Sequence, residues 1–172
     1  AEVSVFHMAQ PTRGTPSAYR ECQVRCDVRK IAQIILGLGL AFAGTTHLGA
    51  NRAEFQAQVP NVLKDYADFV VLASGVVEIL LGLGLIIVWK YRVQIGWAVA
   101  AFFVAIFWGN ISQYVNGVDA FGLDTDTKRL VRLFFQPVLV AWALLSTGAW
   151  SAWRRKAVKP EDKDLEEDTI YG

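Results

Sequence analysis

The chain has 172 residues, of which 53% are hydrophobic and only 19% charged, with a net charge of +1 and two cysteines. Counted with glycine and without tyrosine, about 58% of it is apolar, against about 45–50% in an ordinary soluble domain. These figures exclude a disordered chain, a disulfide-rich scaffold and a nucleic-acid-binding arm, and leave a membrane protein or an unusually apolar core.

In chain order, residues 1–30 read as a polar tail carrying Arg13, Arg20, Arg25, Arg29 and Lys30. Cys22 and Cys26 fall in this tail at a CxxxC spacing that matches neither a CxxC redox pair nor a four-ligand zinc site, so they are expected to be reduced thiols. The first apolar run is Ile31 to Gly49. Loop 50–68 follows, with Phe55, Val59, Val62, Leu63 and Tyr66 near helical spacing and Pro60 suited to a first helical turn, which predicts a short interfacial helix. The second run is Phe69 to Trp89, and Lys90 and Arg92 mark the link to the third, Ile95 to Val115. Loop 116–129 opens with an Asn-Gly turn, and Asp124 or Thr125 is placed to cap the next helix. Asp119, Asp124 and Asp126 are read as capping and solvated residues, with no metal site expected. The fourth run is Leu130 to Trp150, and residues 160–172 form an acidic tail expected to be solvated and mobile.

Each run has the roughly 20 residues that a bilayer core requires, and Leu80 to Trp89 and Trp97 to Trp108 are apolar all round. The fold class predicted is all-α: a four-helix transmembrane bundle over 31–153, between a cytoplasmic tail at 1–30 and a charged cytoplasmic tail at 154–172. Twelve of the 17 Lys and Arg residues fall on the side of the two tails and the 90–92 link. The positive-inside rule therefore places both termini in the cytoplasm and loops 50–68 and 116–129 outside, in a multi-pass protein.

Two patterns stand out within the runs. Leu36–Leu40 and Leu81–Leu85 both read LGLGL. In antiparallel spans Gly37 and Gly82 come to similar depth. Gly44 and Gly75 extend the two small-residue stripes, so spans 1 and 2 are expected to pack as a close pair. Six polar residues within the runs are singled out: His47, Glu78, Asn110, Gln113, Arg132 and Gln136. At about 1.5 Å per residue they fall at the bilayer centre or in its outer half, from Glu78 near the middle to Gln113 and Arg132 roughly 12 Å outward. Polar groups in hydrocarbon are costly and mark functional sites, so one outer pocket is expected, with Arg132 as the partner of Glu78 and Gln136 as a bridge. The alternative is an interhelical polar clamp.

Only His7 and His47 are histidines, so the chain cannot ligate a haem twice within the bundle, and no nucleotide, serine-hydrolase, zinc-protease or ferredoxin motif is present. The stretches AGTTHLGANRAEFQAQVP (43–60), VVLASGVVEILLGLGL (70–85), FFVAIFWGNISQYVNGVDAFGLDTD (102–126) and RLFFQPVLVAWAL (132–144) resemble the DoxX-like family of small four-helix membrane proteins. The resemblance covers about residues 30–153. It implies a prokaryotic plasma-membrane bundle. Some members of the family are subunits of a thiosulfate:quinone oxidoreductase, others are linked to oxidoreductase assemblies that resist oxidative stress, and a distant branch resembles receptor-assembly chaperones. The family offers no settled catalytic motif; its span-1 histidine and the acid of its VVE segment match His47 and Glu78.

The function expected is an accessory subunit of a quinone-linked membrane redox complex. It would have no covalently bound cofactor, a quinone or lipid as the ligand, and the lipid bilayer and other membrane or redox subunits as partners, without nucleic acid. The alternatives are a non-enzymatic scaffold or assembly factor, and a proton-coupled small-solute carrier, which would need a homo-oligomer.

Overall fold

The structure, a computed structural model, describes residues 16–49 and 51–158. Within them the chain is helical, without a strand: α1 (Pro16–Leu48), α2 (Arg52–Ala57), α3 (Ala67–Ile87), α4 (Arg92–Val115), α5 (Asp126–Ser146) and α6 (Ala149–Val158). Short 3-10 turns at Asn61–Tyr66 and Trp89–Tyr91 lead into α3 and α4. Four segments are long and apolar enough to cross a membrane: Tyr19–Leu48, Asn61–Ile87, Trp89–Val115 and Asp126–Ser146. Leu38, Phe42, Phe69, Leu80, Trp108 and Phe134 are each more than half exposed around the perimeter. In water such a belt would drive aggregation; against lipid it is the expected surface. The chain is built as an all-helical membrane protein.

Several boundaries differ from those read in the sequence. α1 begins at Pro16, so residues 16–30 prolong the first span as one continuous helix instead of forming a tail. Trp89 lies in a 3-10 turn and not in the second span. The fourth helix stops at Ser146 because Gly148 adopts φ +75°, a left-handed conformation that ends helices and that glycine tolerates best. Trp150 therefore belongs to α6, which runs across the expected boundary at 153. Loop 50–68 forms two short pieces, α2 and the 3-10 turn that Pro60 precedes. The readings made for residues 1–15 and for the acidic tail lie outside the described residues. Cys26 is an exposed free thiol on α1.

Side chains and turns satisfy the helix ends. Thr125 caps α5 by accepting from the Lys128 backbone N–H, while Asp124 instead receives Lys128 Nζ at 2.6 Å. The Lys128 hydrogen bond holds the Asp124 carboxyl below the ordinary carboxylate range. At the end of α4 the Gly117 N–H reaches Tyr114 O at 3.3 Å and the Val118 N–H reaches Gln113 O at 3.1 Å, a Schellman turn.

α1 packs most extensively on α3, and α4 on α5; the two pairs meet along the lesser α1–α5 and α3–α4 contacts. The first pair is held close by glycine. A Cβ on Gly37 would stand 2.8 Å from Gly82 O, and one on Gly82 would stand 2.5 Å from Gly37 O. A Cβ on Gly44 would stand 2.5 Å from Gly75 O, and one on Gly75 would stand 2.7 Å from His47 Cβ. No side chain fits at these four positions without parting the helices, so backbone meets backbone there. Leu36, Leu40, Leu85, Val99, Ala100, Phe103 and Ala143 fill the centre between the pairs.

This topology brings the start of α1 and the end of α5 to one end of the bundle, the terminal end, and puts α2 and loop 116–125 at the other, the α2 end. Gln33 is buried near the terminal end and donates to Leu85 O at 2.7 Å, satisfying a carbonyl in the last turn of α3. It corrects the expectation that buried polar residues are confined to the centre and the α2 half.

Candidate functional site

A cavity of about 780 Å³ lies between the two helix pairs and runs toward the α2 end. Five of the six polar residues singled out in the sequence line it: His47 from α1, Glu78 from α3, Asn110 from α4, and Arg132 and Gln136 from α5. Gln113 does not. It is buried and its Nε2 donates to Val118 O at 3.2 Å, bracing the turn after α4. The walls toward the terminal end are hydrocarbon and aromatic, including Leu36, Leu40, Leu139 and Trp142.

Glu78 sits on the α3 face that also carries Gly75 and Gly82, and the closeness of α1 to α3 draws it inward, to 5% exposure. The same closeness sets His47 beside it. Ser74 Oγ donates to Val71 O at 2.9 Å and lies 3.0 Å from His47 Nδ1. With its hydroxyl proton on Val71 O, the Ser74 oxygen can accept from His47 in the tautomer that carries Nδ1–H. His47 Nε2 then faces Glu78 Oε2 at 3.6 Å, within ion-pair range but beyond a hydrogen bond. Glu78 Oε2 is fully buried without a hydrogen-bond partner. The expected partnership of Glu78 with Arg132 is not formed; His47 is the ionisable group beside Glu78, and no hydrogen bond joins them.

Arg132 turns toward the α2 end. Its Nη2 donates to Gln58 Oε1 at 3.1 Å, and its guanidinium lies 5.2 Å from the centre of the Phe121 ring. Gln58 Nε2 is a second buried polar atom without a partner. Gln136 bridges nothing to Glu78: its Nε2 donates to Phe103 O at 2.6 Å and its Oε1 accepts from Asn110 Nδ2 at 3.1 Å. Those two residues tie α4 to α5 and form one wall.

The α2 end is covered by residues that the sequence patterns did not single out as site residues. The Phe55 ring lies 3.5 Å from the His47 ring and 4.6 Å from the Phe121 ring, centre to centre. Phe121 holds φ +56°, a strained backbone for an aromatic residue, and its N–H donates to Glu54 Oε2 of α2 at 2.6 Å. Arg129, 7% exposed, pairs with Asp126 at 2.6 Å and with Asp119, so these acids brace the loop. Among the described residues no three His, Cys, Asp or Glu side chains gather as metal ligands would.

The arrangement has the form of a site for an amphiphile: a polar end with two unpartnered buried atoms and an apolar end. Fold and site together define a four-span membrane protein with a cavity inside its bundle. Residues 36–147 match the model of a family described as a domain of unknown function (DUF8561), and the chain belongs to that family. No curated protein and no solved structure matches it.

Proposed function

We propose that the protein is a ligand-binding accessory subunit of a membrane redox complex and that the cavity holds a quinone or a lipid. The observation that carries this reading is the pairing of Glu78 Oε2 and Gln58 Nε2, both buried and unpartnered, within one cavity whose far end is hydrocarbon. Leaving such groups unsatisfied costs about 1–3 kcal/mol each, a deficit that a bound head group removes. The resemblance to the DoxX-like family supports the redox setting and a prokaryotic plasma membrane. The basic residues Arg20, Arg25, Arg29, Lys30, Lys90, Arg92, Arg154, Arg155 and Lys156 crowd the terminal end, which supports cytoplasmic termini and an α2 end on the outer face. The chain's own part is to bind and orient; electrons are the business of a partner subunit.

Purification from native membranes in a mild detergent tests this. A quinone or lipid near one per chain, together with a redox subunit, is the expected result, and Glu78→Gln lowers ligand occupancy severalfold. A lone, empty chain overturns the reading. The Asn110–Gln136–Phe103 chain, whose polar atoms are spent on each other, favours a second reading, that of a scaffold. Under it Glu78→Gln leaves function intact and lowers only stability.

A further inference from the structure

The cavity is closed at both ends but not along its side. At the terminal end, Trp142 Nε1 donates to Ala32 O at 3.1 Å, tying α5 to α1. At the α2 end, Phe55 and Phe121 cover it. Between these closures four lining residues are exposed on the lipid-facing side: Ile35 (52%) and Gly39 on α1, Val131 (51%) and Phe135 (61%) on α5. Residues that line an interior cavity and also face the bilayer mark an opening through the bundle wall.

Gly39 is the telling member. The other glycine of the first LGLGL, Gly37, is there because no Cβ fits against Gly82. At Gly39 a Cβ would meet nothing within 4 Å. A mid-helix glycine weakens a helix by about 1 kcal/mol relative to alanine, and here no packing contact explains the cost. What the position does have is a place on the cavity wall, at the gap between α1 and α5.

The head-group end adds a constraint on charge. Glu78 Oε2 presents a carboxyl oxygen, while the donors are Gln58 Nε2 and the Arg132 N–H groups that Gln58 Oε1 does not take, so the wall carries one acid and one guanidinium that offset each other. Lys128, the other cation on the wall, is occupied by Asp124. A phosphate would set its negative oxygens beside the Glu78 carboxyl. An uncharged head with oxygens on opposite edges can accept from Gln58 or Arg132 on one side and meet Glu78 or His47 on the other.

Building on the ligand-binding reading above, we propose that the cavity loads sideways from the bilayer through the α1–α5 gap. Gly39 keeps that gap open, and the ligand is an uncharged amphiphile of the quinone–quinol type with oxygens on two edges of its head. The hydrocarbon tail lies in the gap and the head reaches Glu78 and Gln58.

The test uses the full chain in phosphatidylcholine nanodiscs titrated with decyl-benzoquinone, reading the tryptophan quench that Trp142→Phe removes. Wild type gives a saturable quench. Gly39→Leu, and Val131→Phe from the opposite wall, weaken it at least about tenfold while helicity and the melting temperature hold. If one variant misfolds, the other decides. Unchanged affinity in the folded variants overturns the lateral route. Competition by phosphatidylglycerol added to the disc, or no saturable quench in wild type, overturns the uncharged head. If the chain purified from native membranes also carries no amphiphile of any class, the ligand-binding reading falls with it; a bound amphiphile there leaves that reading standing.

Discussion

Two glycines stand two residues apart on α1 and live in opposite circumstances. Gly37 is pressed against the backbone of α3, where its own Cβ would stand 2.8 Å from Gly82 O; Gly39 faces open space on the α5 side. One side of α1 is therefore a seam without room for a methyl group, and the other is a wall with a gap. The contrast teaches that a repeated motif such as LGLGL does not carry one meaning. Two residues turn a helix by about 200°, so neighbouring glycines in the pattern answer to different partners.

The largest expected effect comes from filling the seam. Gly82→Leu forces α1 and α3 apart, because even its Cβ would stand 2.5 Å from Gly37 O. A loss of about 3 kcal/mol, read as a collapse of the melting temperature in detergent, is expected. A fully stable variant would break the comparison from its tight side. Arg129→Ala should cost about 1 kcal/mol, because Asp119 and Asp126 are exposed and recover water while the buried stem loses its packing. Circular dichroism melting checks it, and proteolysis should turn to loop 116–125. Across the gap, Gly39→Leu should leave stability unchanged or raise it by about 0.5–1 kcal/mol through helix propensity alone, which sharpens the contrast with Gly82→Leu. The smallest effect is the coupling between Asn110 and Gln136, about 0.6 kcal/mol in a double-mutant cycle of Asn110→Ala and Gln136→Ala.

Reading by residue shows what a sequence can disclose about such a protein. Apolar run length located the last three spans to within about four residues, and the first only at its C-terminal end, because the bilayer sets that length regardless of partners. That α1 continues back to Pro16 and that Gly148 cuts the fourth run are local backbone features, which apolar run length does not record. Depth and face placed His47, Glu78, Asn110, Arg132 and Gln136 near one another, but depth and face alone do not say which of them touch. Arg132 estimated at about 12 Å from Glu78 in depth was already far for a partner, and His47 took its place through the closeness of α1 and α3. Gln113 lies beside Asn110 on the helical pattern, yet the Schellman turn recruits it as a brace. Gln33 lies inside the first run but at its terminal end, apart in depth from the other six polar residues. Phe55 comes from the short helix α2 and Gln58 and Phe121 from turns, and the helical spacing in 50–68 does not record what they cover.

The elbow at Gly148 has a consequence for where everything else sits. It turns the chain from α5 into α6, in which Trp150 and Trp153 stack with ring centres 5.1 Å apart and Arg154, Arg155 and Lys156 follow. Indole rings beside basic side chains settle at the boundary between head groups and hydrocarbon. α5 itself is 21 residues, about 31 Å, nearly the thickness of the hydrocarbon layer. A rod of that length moored at one boundary has little freedom to slide along the membrane normal. α6 thus works as a depth gauge, holding Arg132 and the polar end of the cavity at a set level beneath the opposite head groups.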